Sequence, residues 1–170
     1  ISGWGLYAAL VIAGVISLEN ALRIVAYRVR LMVQRCAMYE TGMIAINLSP
    51  IEVRDVLRAS TELSDLSIAC YNSTIDCVLS GPLTKLQAFK AYLDAKLCCK
   101  NVLLTVPFGY YRQAMSPLLE DLNVVARRVV LNPPNIPIVS NVLGDIIDPG
   151  DAVVFSSDYF GLHCAQPVQF

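Results

Sequence analysis

The residues that could do chemistry sit in a few places along the chain. It opens Ser2-Gly3-Trp4-Gly5-Leu6-Tyr7 and runs straight into the apolar stretch Ala8 to Val15. Glycines and small residues leading into an apolar helix are the pattern of a nucleophile elbow, a tight turn that lifts a serine over a helix N-terminus. That turn wants Gly-x-Ser-x-Gly. With Gly5 as the second glycine, the serine slot falls on Gly3, and Ser2 stands one place off. The other reading is a plain helix start with Ser2 as its cap. Arg28 lies near the apolar edge of a helical pattern, while Arg23 and Arg30 fall off that face; a solvated or snorkelling side chain is the ordinary reading. The loop Pro107-Phe108-Gly109-Tyr110-Tyr111-Arg112-Gln113-Ala114-Met115 joins two units, where chain segments often line a cleft. Its aromatics read as pocket lining or core ahead of catalytic groups. His163 is the one histidine, and the six cysteines (Cys36, Cys70, Cys77, Cys98, Cys99, Cys164) show no CxxC spacing. No metal site is expected from that set.

These residues must be positioned by regular elements, and the pattern supplies them. Residues 18–36 read as an amphipathic helix capped by Ser17, with Leu22, Val25, Val29, Met32 and Val33 as its apolar face. Met43 to Leu48 reads as a strand. Ser49-Pro50-Ile51-Glu52 is a capping box with proline at the first helical position, starting a helix to about Ala59. Leu66 to Tyr71 and Asp76 to Ser80 make a hairpin around Asn72-Ser73-Thr74. Gly81-Pro82 starts a helix carrying Leu83, Leu86, Phe89 and Leu93, and Asn101 to Val106 is a strand closed by Pro107. Strand, helix, strand, strand, helix, strand is the ferredoxin-like order. Residues 43–106 are therefore expected to form a small subdomain inserted into a larger α/β body made by 1–42 and 107–170. In the second part of the body, Ser116-Pro117 is expected to cap a helix to about Val129, with Leu118, Leu119, Leu122 and Val125 inward. Ile136 to Val142 reads as a strand, and Ser157-Asp158 starts a short helix with Tyr159, Phe160 and His163.

Composition narrows the function classes. The chain has 170 residues, 55% hydrophobic and 16% charged, with a formal net charge of −1. That suits one domain with a well-buried core and argues against a nucleic-acid or anionic-membrane surface. The longest apolar run, from Leu6 to Ile16, is too short to span a bilayer, and it lacks the basic flank of a signal peptide. A reduced, cytoplasmic setting is the expectation. The chain starts on Ile1 and not on methionine, as a fragment or processed piece would.

A family resemblance then becomes specific. Gly5-x-Tyr7-Ala8-Ala9-Leu10, Ala13-Gly14-Val15, Ser17-Leu18-Glu19, Ala21-Leu22 and Arg28-x-x-Leu31-Met32 resemble the opening of a malonyl-CoA:acyl-carrier-protein acyltransferase domain. Met43-Ile44-Ala45-Ile46, Ala69-x-Tyr71-Asn72-Ser73, Ser80-Gly81 and Val106-Pro107-Phe108-Gly109-Tyr110 continue the likeness. Tyr159-Phe160-x-x-His163 and Gln166-Pro167-Val168-x-Phe170 close it. The chain is most similar to acyltransferase domains of fungal iterative type I polyketide synthases, over its whole length. The resemblance implies a hydrolase-like α/β body with a ferredoxin-like insert, and an upstream part of that body, with strands before the elbow, that is absent.

The resemblance also implies a chemistry. A serine takes malonyl from malonyl-CoA as a seryl ester and passes it to the phosphopantetheine thiol of an acyl carrier protein, with a histidine as base. Backbone N–H groups hold the oxyanion, and an arginine pairs with the malonyl carboxylate. No bound cofactor is implied. The implied partners are the carrier protein and neighbouring synthase domains, with no nucleic acid and no membrane. Arg28 matches the carboxylate-binding arginine, with Met32 one turn on. Asn72 sits where the family approaches the cleft. Tyr110 follows the pattern of malonyl-selective domains. His163 matches the segment whose backbone supports the base. The nucleophile slot aligns with Gly3, leaving Ser2 as a displaced substitute, and the base slot aligns with Tyr111, a poor base with a reference pKa of about 10. Leu6 and Leu162 stand where a glutamate and an arginine are expected. The expectation is therefore an acyltransferase scaffold with little or no transfer activity of its own. The other reading is an inactive structural or carrier-docking module of a megasynthase.

Overall fold

The structure, a computed structural model, describes residues 2–36, 38–109 and 112–170. Helix α1 (Ser2–Ile12) and helix α2 (Leu18–Arg35) come first, separated by a turn in which Gly14 adopts a φ of 77°. A β-carbon at Gly14 would lie 2.3 Å from the Asn135 side chain, so the turn needs glycine for both reasons. Ser17 caps α2 by accepting from Asn20 N at 3.2 Å, and Glu19 pairs with Arg23 one turn on.

The middle of the chain builds a sheet covered by two helices. Strand β1 (Thr41–Ile46), helix α3 (Pro50–Ala59), strand β2 (Ser67–Tyr71), strand β3 (Cys77–Pro82), helix α4 (Leu83–Tyr92) and strand β4 (Asn101–Leu104) follow one another. The expected capping box on α3 is present, with both Ser49 and Glu52 engaged. The strands lie in the order β4-β1-β3-β2, every neighbour antiparallel. Strand alternation sorts their side chains. Ile44, Ile46, Cys77 and Leu79 face α3 and α4, packing on Val53, Leu86, Phe89 and Leu93. Met43, Ala69 and Val78 fill the opposite face.

The rest of the chain packs as a second core. Helix α5 (Arg112–Ala126), strands β5 (Ile138–Ser140) and β6 (Asp145–Ile147), and helix α6 (Ser157–Ala165) join α1 and α2 around Leu10, Ile24, Met115, Leu118, Leu122 and Phe160. The two-stranded sheet β5-β6 is an antiparallel hairpin. A short last strand, β7 (Val168–Gln169), crosses over and pairs parallel with β2, making a mixed five-stranded sheet. Two contacts hold the crossing near residue 40. Tyr39 N donates to Pro107 O at 2.9 Å, and Gly109 N donates to Thr41 Oγ1 at 2.7 Å. A β-carbon on Gly109 would come within 2.7 Å of Gly42 O, so the two segments can approach only through glycine.

Several sequence expectations are corrected. The opening is helix from Ser2 onward, so no tight turn spans residues 2–7. On α2 the buried stripe is Ala21, Ile24, Arg28, Leu31 and Met32, whereas Leu22, Val29 and Val33 are 59%, 44% and 57% exposed. Two neighbouring stripes both satisfied helical spacing, and periodicity alone cannot choose between them. Packing against α5 and α1 chose the one containing the arginine. Helix α5 starts at Arg112, a turn ahead of the expected Ser116-Pro117 cap, and Pro117 sits inside it. Arg35 from the end of α2 donates to Pro117 O at 2.9 Å and pairs with Asp121, which fastens the two helices there. Strands β6 and β7 lay outside the expected elements. Strand β7 also places two residues expected with the body at the edge of the other sheet. Among the described residues, no helix is long and apolar enough to cross a membrane.

Candidate active site

Helices α1, α2 and α6 meet around one charge. Arg28 is 3% exposed, the one charged side chain of its stripe. Its Nη1 lies 3.3 Å from His163 Nδ1, across 135 positions of sequence. Its guanidinium carbon sits 4.8 Å from the centre of the Trp4 ring. Trp4 and Tyr7, three apart on α1, stack with centroids 6.2 Å apart. Tyr7 in turn stacks on Phe160 at 5.8 Å and meets the edge of His163 at 5.8 Å. The result is an aromatic seam from α1 to α6 with a guanidinium laid into it.

The proton inventory follows from burial and from that arginine. Arginine carries donors and no acceptor, and it stays charged in proteins. His163 Nδ1 must therefore accept, which leaves the proton of a neutral imidazole on Nε2. Burial, followed by the nearby Arg28 charge, lowers the His163 pKa to about 3, so the ring is neutral at physiological pH. Among the described residues, Nε2 has no hydrogen-bond partner. Burial raises the Tyr7 hydroxyl and the Cys164 thiol, with Arg28 opposing both shifts. Each of these groups is neutral around the cation.

The structure brings some expected site residues together and leaves others apart. Arg28 and His163 meet. Met32 is buried one turn along α2. Gly3 is the second residue of α1, so the expected nucleophile slot lies one position before Trp4, whose ring covers the guanidinium. Tyr110, Tyr111 and the Ser2 side chain lie outside the described residues. Asn72 is elsewhere, in the β2–β3 turn, where its N–H donates to Asp76 O at 3.1 Å. It lines a cavity of about 300 Å³ with Asn47, Asp76, Lys100 and Asn101, which includes neither Arg28 nor His163. Sequence reasoning missed Trp4 and Tyr7. Two aromatics at i and i+3 on an opening helix were the available signal. Among the described residues, no group of three or more His, Cys, Asp or Glu side chains could hold a metal ion.

Comparison with known proteins gives this arrangement a family. The sequence pattern of the acyl transferase domain family matches residues 3–170. The chain belongs to the acyl transferase domain family. Curated relatives of this acyltransferase chain include the orsellinic acid synthase ArmB of Armillaria ostoyae, 54% identical over 166 residues. They also include an orsellinic acid synthase of Beauveria bassiana, 41% identical over 167 residues. Both matches cover 98% of this chain, which spans 8% of the length of each relative. Among solved structures, the acyltransferase domain from the second module of the salinomycin polyketide synthase superposes with a TM-score of 0.83 at 29% identity. That match covers 96% of this chain and 37% of the other. FabD from Acinetobacter baumannii gives 0.81 at 26% identity, over 96% and 52%. The α/β architecture with its mixed sheet is thus that of acyltransferases, and the sequence relatives are fungal polyketide synthases.

Proposed function

We propose that the chain is the malonyl-binding part of a polyketide synthase acyltransferase domain, with Arg28 receiving the malonyl carboxylate. The family's role would be to carry malonyl from CoA to the phosphopantetheine thiol of an acyl carrier protein through a seryl ester. The observation that carries the reading is the placement of Arg28. Its guanidinium lies against Trp4, the residue directly after the nucleophile slot Gly3. In malonyl-CoA one methylene separates the carboxylate from the thioester carbonyl. An arginine one side chain away from the nucleophile slot suits that spacing, and a buried guanidinium binds a carboxylate strongly.

In this reading residues 43–106 form a ferredoxin-like insert between body segments 1–42 and 107–170. The antiparallel order β4-β1-β3-β2 supports it. Met32 would pack beside the acyl group and Tyr110 would narrow the pocket for malonyl. Asn72 would contribute from the insert, where it lines a separate cavity with Asn47, Asp76, Lys100 and Asn101.

The chemical step itself is the weak part of the site. In the family's reaction, serine Oγ attacks the thioester carbonyl while a histidine takes its proton. The C–S bond then breaks, and the CoA sulfur leaves as a thiol. Gly3 has no side-chain oxygen to act as nucleophile, and the base slot holds Tyr111. We therefore expect binding with little or no transfer, which also suits a carrier-docking role inside a synthase. Incubation with radiolabelled malonyl-CoA tests this. The expected result is reversible binding that weakens on Arg28→Ala, with no stable covalent label. Installing Gly3→Ser together with Tyr111→His should create label. Stable label on the unaltered chain that disappears on Ser2→Ala would make Ser2 the nucleophile and overturn the expectation of inactivity. Unchanged binding in Arg28→Ala would overturn the carboxylate assignment.

A further inference from the structure

We propose that His163 is a positioning residue, its neutral imidazole Nδ1 holding the Arg28 guanidinium in the orientation that receives a carboxylate. The inference rests on the carboxylate-binding role proposed for Arg28 and adds to it the side chain that sets the arginine's plane. Two contacts of different kinds restrain that plane. Nη1 donates to His163 Nδ1 at 3.3 Å, and the guanidinium carbon lies over the Trp4 ring, 4.8 Å from its centroid. With Nη1 tied to the histidine and the guanidinium carbon lying over the ring, rotation about the end of the side chain is restricted. A bidentate carboxylate needs the fork fixed in this way, since two parallel N–H···O bonds form only when the planes coincide.

The identity of the acceptor matters as much as its place. A buried aspartate or glutamate there would also orient the arginine, but it would pair with its charge and compete with an incoming carboxylate. A neutral imidazole accepts one hydrogen bond and leaves the positive charge for a ligand. His163 is 5% exposed and sits on α6, so its ring is held by packing against Tyr7 and not by its own chain alone. Burial beside the cation keeps it neutral.

The test compares two isosteric variants. Asparagine places its side-chain oxygen where Nδ1 stands, and leucine has the same shape with no acceptor. Affinities for malonyl-CoA and acetyl-CoA are measured by titration calorimetry on the full chain, for wild type, Arg28→Ala, His163→Asn and His163→Leu. Wild type and His163→Asn should prefer malonyl-CoA, and His163→Leu should lose roughly tenfold of that preference while keeping its affinity for acetyl-CoA. Preference lost in Arg28→Ala but kept in His163→Leu would overturn the positioning role and leave the carboxylate assignment standing. No preference in wild type would overturn both. Nitrogen-15 NMR of the wild-type imidazole reads the same contact without any substitution, should His163→Leu fail to fold. An Nε2–H tautomer with Nδ1 accepting at pH 7 supports the inference, and an Nδ1–H tautomer or an imidazolium overturns it.

Discussion

The sheet of residues 41–104 and the seam around Arg28 are built by opposite means. In the sheet, each element is announced by its own neighbours. Ser49 and Glu52 close a capping box three residues apart, and alternate residues of β1 sort to opposite faces. In the seam, the partners come from positions 4, 7, 28, 160 and 163, on three helices. The sheet's stability is local pattern reinforced by a conventional apolar core. The seam depends on a long-range match between one cation, one neutral acceptor and three aromatic rings. The first kind of structure resists polar challenge and yields to cavities. The second should yield to changes of charge and protonation.

The largest effect should come from breaking the core of the sheet. Phe89 is fully buried between α4 and the sheet, packed with Leu79, Leu86 and Leu93. Phe89→Ala should cost about 3–5 kcal/mol, through lost transfer energy and the cavity left behind. Chemical denaturation followed by circular dichroism measures it. A loss under about 1 kcal/mol would mean that the sheet core repacks freely and is no more sensitive to cavities than the seam.

The seam should respond instead to pH. Below its unfolded pKa of about 6.5, His163 takes a proton in the unfolded chain. In the folded chain its pKa is lowered to about 3. The unfolded state therefore binds more protons throughout that window, and stability falls as pH falls through it. From pH 7 to pH 5 the loss from this one group is about 2 kcal/mol, and it stops growing below about pH 3. Among the described residues, the ionisable groups seen against His163 are Arg28, which stays charged, and Tyr7, which burial keeps neutral in this range. The difference between wild type and His163→Asn therefore isolates the histidine. Parallel acid-denaturation curves for the two proteins would sink the argument.

This contrast explains what could be read from the sequence. The strand–helix order of residues 43–106 and the caps at Ser17 and Ser49 depend on residues within a few positions of each other, and they were legible. The stripe of α2 was not. Leu22/Val25/Val29 and Ala21/Ile24/Arg28 have the same spacing, and hydrophobicity favours the wrong one. What reverses the choice is packing against α1 and α5, which the spacing within α2 does not encode. Strand β7 was hidden for a related reason, since two residues carry no periodicity and its partner β2 lies about 100 positions away. Within the site, Arg28 was legible as an oddly placed charge. Trp4 and Tyr7 were not, because their partners Arg28, Phe160 and His163 lie on other helices and leave no local mark beside the serine and glycines.

A smaller effect sharpens the comparison on the local side. Ser49 accepts from Glu52 N, and Glu52 accepts from Ser49 N at 3.1 Å, so each satisfies one otherwise unpaired N–H at the start of α3. Ser49→Ala should cost about 1 kcal/mol, without changing the pH dependence of stability between pH 7 and 5. Hydrogen exchange of the first turn of α3 reads it directly, with faster exchange expected there and unchanged rates in α2 and α6. Slowed or altered exchange in α6 would show that the two regions are coupled.

The smallest effect concerns the face of the guanidinium. Trp4 is about one-third exposed, so its attraction for Arg28 is partly screened by water. A cation–π contact of this kind contributes about 0.5–1 kcal/mol. Trp4→Leu keeps an apolar side chain at the position but removes the ring. Stability should change by no more than that amount. The sensitive readout is the arginine itself: freed from the ring but still bonded to His163, its guanidinium should gain motion about the long axis of the side chain. Nitrogen-15 relaxation of the Arg28 side chain should show a lower order parameter in Trp4→Leu than in wild type, and a lower one still when His163→Leu is added. Equal order parameters in all three would mean that neither contact holds the plane, and that the seam is ordinary packing like the sheet.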